Sequence, residues 1–371
     1  MSEDKRWQWD LEEYIRQGEP GQAEKSEVWQ TAIGLQAVDG LKTSAYLLEA
    51  AKEHIEGKIK IDEVQKRIQS YYEERSDRND PENRTKEADI VASRIAEILG
   101  EKTFQFSPAE WILIHRRLFE GVFDHAGQIR TYNITKKEWI LNEETVIYAS
   151  WNSIRATLDY DFMTEKQFSY KGLSMPEIVK HLARFVSNIW QIHPFCEGNT
   201  RATAVYLIKY LKTLGFEVNN EPFEKHSWYF RNALVRANYN NLKNGIHETT
   251  KFLELFFSNL LMGTTHELKN RYMHVDYVLS QEKEVSQSIT TEHPKTQNDT
   301  LECTLDERRV LKLLRKDPLL KQSDIAVRTG MSISTVKRIT TALQKKGFLC
   351  RSNGKRFGTW EVLREPCEWS E

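Results

Sequence analysis

His193-Pro-Phe-Cys-Glu-Gly-Asn-Thr-Arg201 places a base, a carboxylate, a turn rich in backbone N–H groups and a cation within nine residues. Upstream, Ser174 and Glu177 form a capping-box pattern. Ile178, Leu182, Phe185, Val186, Ile189 and Trp190 then recur at helical spacing, which predicts a helix over about 175–191 that Pro194 ends. Downstream, Ala204, Tyr206, Leu207, Tyr210 and Leu211 carry a second helical pattern that stops at Gly215, so Gly198, Asn199 and Thr200 fall at its first turn. Unpaired N–H groups at a helix start favour an anion. A loop of this kind between two helices points to phosphate chemistry. His193 is the candidate base for a Ser, Thr or Tyr hydroxyl attacking phosphorus. Glu197 is a hard oxygen ligand suited to Mg²⁺ shared with phosphates. Gly198 lets the backbone come close to a phosphate, and Asn199 and Arg201 can bind its oxygens. Phe195 reads as packing beneath the loop.

The pattern His-Pro-Phe-x-Glu-Gly-Asn-x-Arg resembles the signature of the Fic family. The similarity extends through Phe123-Asp-His-Ala-Gly-Gln-Ile-Arg130 and Tyr229-Phe-Arg-Asn-Ala-Leu-Val-Arg-Ala-Asn238, over roughly residues 90–262. The resemblance implies a protein nucleotidyltransferase that moves AMP from ATP to a protein hydroxyl, its own included. It makes His193 the base, Glu197 the magnesium carboxylate, Gly198, Asn199 and Thr200 the anion hole, and Arg201 the phosphate arginine. Two positions depart from the family pattern. Thr200 stands for a glycine, and Ala204 for a second arginine that in the family helps hold the terminal phosphate of ATP. Arg201, Lys136 and Lys137 are the cations that could take its place. Another donor nucleotide, or hydrolytic removal of a nucleotide, is the alternative chemistry.

Around this core, Tyr132-Asn-Ile-Thr, Trp139-Ile-Leu and Thr145-Val-Ile-Tyr148 flank Asn142-Glu-Glu and predict a β-hairpin. Fic enzymes carry a target-aligning flap at this place, where an edge strand could capture a segment by strand addition. The stretch from Tyr229 resembles the helix lining the family's base pocket, with Asn238 as the candidate base contact and Trp139 and Trp228 as cleft aromatics. Residues 42–57 and 61–68 are helically periodic. Glu56-Gly57 resembles part of the family's inhibitory motif, which makes Glu56 a candidate obstructing residue; Ser93-Arg-Ile-Ala-Glu97 is a second partial match.

Residues 280–304 contain almost no large apolar side chain and predict a linker. From Thr304 to Arg364, 15 Lys and Arg stand against 5 Asp and Glu, a net of +10 in a chain whose total is −1. That asymmetry points to a polyanionic partner. Helical patterns around Val310–Leu314, Asp324–Thr329 and Ser334–Lys346, followed by a hairpin over 348–363, resemble a winged helix-turn-helix. On the third helix, Thr335, Lys337, Arg338 and Thr341 face outward as DNA-reading residues would, with Lys355 and Arg356 on the wing against phosphate.

The expected fold is therefore mainly α: a Fic helical fold with a β-hairpin flap, then the winged helix. The expected boundaries are a helical, inhibitory region at 1–89, the catalytic domain at 90–279, the linker at 280–303 and the winged helix at 304–371. The opening Met-Ser-Glu-Asp-Lys-Arg has no secretory core and no apolar run reaches membrane-spanning length, so the expected compartment is the cytoplasm. Cys196, Cys303, Cys350 and Cys367 lack metal-ligand spacing and read as reduced thiols. A second function class is a DNA-binding transcriptional regulator whose nucleotide domain acts as a sensor. Turnover of labelled nucleotide separates the two.

Overall fold

The computed structural model describes residues 11, 13–14, 18, 20–74, 80–218, 221–277, 305–329, 331–345, 348–352 and 359–363. The chain divides into two compact units, Met1–Thr290 and Thr291–Glu371. Helices of the first unit are α1 (Pro20–Gly34), α2 (Ala45–Ile55), α3 (Ile61–Glu73), α4 (Asp80–Gly100), α5 (Pro108–Phe119), α6 (Ile154–Gln167), α7 (Met175–Ile192), α8 (Asn199–Thr213), α9 (Glu221–Ala237) and α10 (Lys251–Met262).

Helix α7 begins where the capping box predicts, with the Ser174 N–H donating to Glu177 Oε2 at 2.7 Å, and buries the apolar stripe read from the sequence. Helix α8 is enclosed along its whole inner length, every residue from Asn199 to Leu211 being buried. It packs against α4, α5 and α7. This central helix carries the loop at its N-terminus and fixes it to three neighbours at once.

The boundary expected at residue 89 falls inside a helix. Helix α4 runs through it without a break, and one hydrophobic core extends from Leu11 to Val275. Asp89 itself is buried and tied to the Ser44 N–H at 2.8 Å and to the Tyr72 hydroxyl at 2.7 Å, so it fastens α2 and α3 to α4. A buried carboxylate with such donors stabilises the place where a linker would need free backbone.

The expected β-hairpin over 132–148 also takes another form. The chain doubles back, with the Glu138 N–H on Glu144 O at 2.9 Å, but Trp139–Leu141 is a short 3₁₀ turn and no strand ladder forms. The Lys136 N–H is taken by the Thr145 hydroxyl at 3.2 Å, and Asn142 and Glu143 have φ of 55° and 66°. Ile140, Leu141, Val146 and Tyr148 are buried in the core. Core packing thus sets this flap's shape in place of cross-strand pairing.

The second unit contains α11 (Leu305–Lys316), α12 (Gln322–Thr329), α13 (Ile333–Lys345) and the antiparallel strands β1 (Leu349–Ser352) and β2 (Thr359–Val362), paired from Leu349 with Val362 to Ser352 with Thr359. Val310, Leu314, Ile325, Val336, Leu343 and Trp360 form its own core. The Trp360 indole N–H donates to Leu320 O at 3.2 Å, which ties the hairpin to the segment after α11. Lys355, Arg356 and the linker 280–303 lie outside the described residues.

Candidate functional site

His193 caps the C-terminus of α7 in the left-handed region, with φ 48° and ψ 59°. Pro194 disfavours the helical region for the residue before it, and the chain turns sharply here. A non-glycine side chain held at positive φ marks a site where surrounding structure overrides backbone preference. The ring is buried between Trp190 and Tyr148, with centroids at 5.0 and 4.3 Å. Its Nδ1 lies 3.2 Å from Trp190 O. A carbonyl only accepts, so Nδ1 carries the hydrogen and Nε2 keeps its lone pair. Burial, then the charge of Lys136, pushes the histidine well below its ordinary pKa and holds the imidazole neutral.

Several side chains brace the loop. Asn199 accepts the Phe195 N–H at 3.0 Å and donates to Phe195 O at 2.7 Å, so both ends of its amide are spent on loop geometry. His115 donates from Nε2 to Glu197 O at 2.9 Å, accepts the Gly127 N–H on Nδ1 at 2.9 Å and stacks on Phe195. Burial lowers its pKa to about 4, which matches an imidazole that must stay neutral to keep both bonds. Arg130 donates to four carbonyls, of Tyr132, Ala149, Ile192 and His193. The Thr200 hydroxyl accepts the Trp190 indole N–H at 3.0 Å. Gly198 has φ 75°, and a Cβ there would meet the Phe119 ring at 2.4 Å, so no other residue fits without displacing α5. The first N–H groups of α8 have no intrahelical partner, the first bond inward being Ala202 N–H to Gly198 O.

The two charged motif side chains go separate ways. Glu197 is 57% exposed and its carboxylate is met by the Lys136 ammonium at 2.9 Å. Arg201 is buried beneath the loop. Its guanidinium donates to Glu87 Oε1 at 2.6 Å and Gln36 Oε1 at 3.2 Å and lies 4.8 Å from the Phe119 ring. Its Nε stands 2.7 Å from Asp39 Oδ2 without the alignment of a hydrogen bond. The carboxylates that reach the motif from the N-terminal region are thus Glu87 and Asp39. Glu56, expected to obstruct the site, caps the end of α2, where Lys58 and Tyr14 hold it.

Asn238 follows α9 and donates its amide to Leu234 O at 2.9 Å and Ser187 O at 3.3 Å, joining α9 to α7. Trp228 lies under the Arg231 guanidinium, and Trp139, half-exposed, meets His274 edge-on. Arg231 makes a paired contact with the buried Glu138 at 2.6 and 3.1 Å, and Glu138 accepts the Tyr148 hydroxyl at 3.4 Å. That chain of contacts backs the histidine ring. Cys196 is half-buried with Sγ 3.1 Å from the Tyr132 hydroxyl, and both it and Cys350 are free thiols. Sequence reasoning did not single out His115, Arg130, Gln36, Asp39 or Glu87. Only Arg130, as the last residue of a quoted family stretch, carried a local signal.

In the second unit, Val336, Ile339 and Leu343 are buried on α13 while Lys337, Arg338 and Thr341 are exposed and Thr335 is half-buried, as the helical pattern predicts. Among the described residues no helix is long and apolar enough to cross a membrane, and no group of three or more His, Cys, Asp or Glu could hold a metal.

Comparison with known proteins matches residues 105–211 to the Fic/DOC family and residues 307–349 to winged helix-turn-helix DNA-binding domains. "Probable protein adenylyltransferase y4lH" of Sinorhizobium fredii is 31% identical over 150 residues, which is 39% of this chain and 71% of that protein. "Probable protein adenylyltransferase Fic" of Escherichia coli is 26% identical over 115 residues, 31% of this chain and 54% of the relative. "Protein adenylyltransferase VbhT" of Bartonella schoenbuchensis is 23% identical over 128 residues, 34% of this chain and 25% of its own length. The Fic/DOC match contains the histidine loop, helices α5 to α7 and nearly all of α8, so the likeness and the site geometry coincide, and the chain belongs to the Fic/DOC family.

Proposed function

We propose that the larger unit is a protein adenylyltransferase: it transfers AMP from ATP to a Ser, Thr or Tyr hydroxyl of a protein, its own included. The observation that carries this reading is the fixed tautomer of His193, whose Nε2 is free to accept a proton beside a helix N-terminus. The attacking hydroxyl oxygen bonds to the α-phosphorus, its proton passes to His193 Nε2, and the bond to pyrophosphate breaks. N–H groups around Gly198 and Thr200 receive phosphate oxygens, while Asn199 acts by holding Phe195 and hence the loop. Glu197, an exposed hard ligand, fits Mg²⁺ shared with the donor phosphates better than a protein cage, since it is a single carboxylate. Bound there, Mg²⁺ would neutralise phosphate charge. Asn238 remains the candidate base contact, through whatever capacity its two donated bonds leave. The full chain incubated with ATP labelled at the α-phosphate should label a protein, and ATP labelled at the γ-phosphate should not. Label from the γ-position, or none from either, sinks the reading.

A second reading is carried by the outward face of α13: the protein binds DNA, and its nucleotide domain serves a regulator in the cytoplasm. Lys337 and Arg338 meet the major groove, with Thr335 and Thr341 beside them and Lys355 and Arg356 on phosphate. Replacing Lys337 and Arg338 together by alanine should weaken duplex binding by the full chain about tenfold or more and flatten its salt slope by about two. Replacing Lys312 and Lys316 should cost far less. Gel-shift titration at two salt concentrations measures both; equal losses remove α13 as the groove-reading helix, and no detectable binding at low salt turns the winged helix into a protein-docking module.

A further inference from the structure

The family pattern asks for a cation near the terminal phosphates of the donor, and position 204 supplies a fully buried alanine. The other motif cation is engaged elsewhere, because Arg201 faces Glu87, Gln36 and Asp39 under the loop. Arg130 is spread over four carbonyls and Arg231 is paired with Glu138. Lys136 differs from all three. Its ammonium rests 2.9 Å from Glu197 Oε2, its side chain is 25% exposed, and the group it holds is the carboxylate that would take the metal.

We propose that Lys136 is the phosphate-binding cation of this site and recognises the β- and γ-phosphates of the donor, a role that rests on the transferase reading above. The flap positions it for that task. Its own N–H is fixed by the Thr145 hydroxyl, and the Glu138 N–H two residues on is bonded to Glu144 O. The backbone is therefore held on both sides, and the side chain is fixed only at its tip, by Glu197. Next to it, Lys137 is exposed and Glu138 is buried. A metal held by Glu197 would take the carboxylate that Lys136 now faces, which would leave the ammonium available to a phosphate at the same mouth. A lysine suits this exchange because it binds phosphate as a mobile point charge, whereas an arginine fork is fixed in direction.

The test is calorimetric titration of the full chain with AMP, ADP and ATP, each with Mg²⁺ and in EDTA. Lys136→Ala should weaken ATP with Mg²⁺ at least tenfold while changing AMP less than twofold. Lys136→Arg should recover most of that loss, and Lys137→Ala should match the wild type. Glu197→Gln in EDTA should bind ATP more tightly than the wild type, since Lys136 is then free beforehand. Unchanged ATP affinity in Lys136→Ala, or equal losses for AMP and ATP, overturns the assignment. A wild type that transfers AMP while Lys136→Ala binds normally removes the lysine role alone. A wild type that binds none of the nucleotides removes the transferase reading with it.

Discussion

His193→Ala is expected to lower AMP transfer about 100- to 10,000-fold while leaving ATP affinity within about twofold. The base acts on the attacking hydroxyl, whereas the N–H groups that receive the phosphates lie at the other end of the loop. Transfer from α-labelled ATP and calorimetric binding read the two quantities separately. A variant that still transfers at the wild-type rate removes the base assignment. The wild-type pH profile adds a signed check. Burial and nearby Lys136, Arg231 and Arg130 lower the pKa of His193, so the neutral, basic form persists below the ordinary value of 6.5. The acidic limb of the rate should therefore fall below pH 6.5, and a midpoint at or above it contradicts the buried ring.

Arg201→Ala is expected to cost about 3 kcal/mol of folding stability, because removing one partner of a buried ion pair leaves the other side uncompensated. Glu87 and Asp39 would face each other across the space that the guanidinium fills, and Phe119 would lose its cation. Denaturant unfolding of the single variant, and of a double variant that also carries Glu87→Gln, measures the coupling. A loss under about 1 kcal/mol, or strict additivity, means the contact is only a surface pair.

Local patterns carried the elements that hold the site. Periodicity and a capping box predicted 175–191 and the structure has Met175–Ile192, because both ends are specified by nearby residues: Glu177 at the start, Pro194 at the finish. The buried face of α13 was legible for the same reason. Contacts at long separation were not. Nothing near Arg201 in sequence says that Glu87, 114 residues earlier, will meet it, and resemblance to an inhibitory motif directed attention to Glu56 instead. The flap misled for a related cause: its β-branched and aromatic residues suit a strand, but Ile140, Leu141, Val146 and Tyr148 bury themselves against helices rather than pairing along a ladder. β-propensity measures fit to a half-buried surface, and a helical core can provide one.

The unbroken helix α4 sets a limit on how the N-terminal region can act. A lid needs a hinge, and a continuous 21-residue helix sharing a core with both sides offers none. Lifting the described part of that region off the loop would therefore expose apolar core that the two now share. The contacts of Gln36, Asp39 and Glu87 with Arg201 are where that region meets the nucleotide loop, so a change in either is felt first at this one guanidinium.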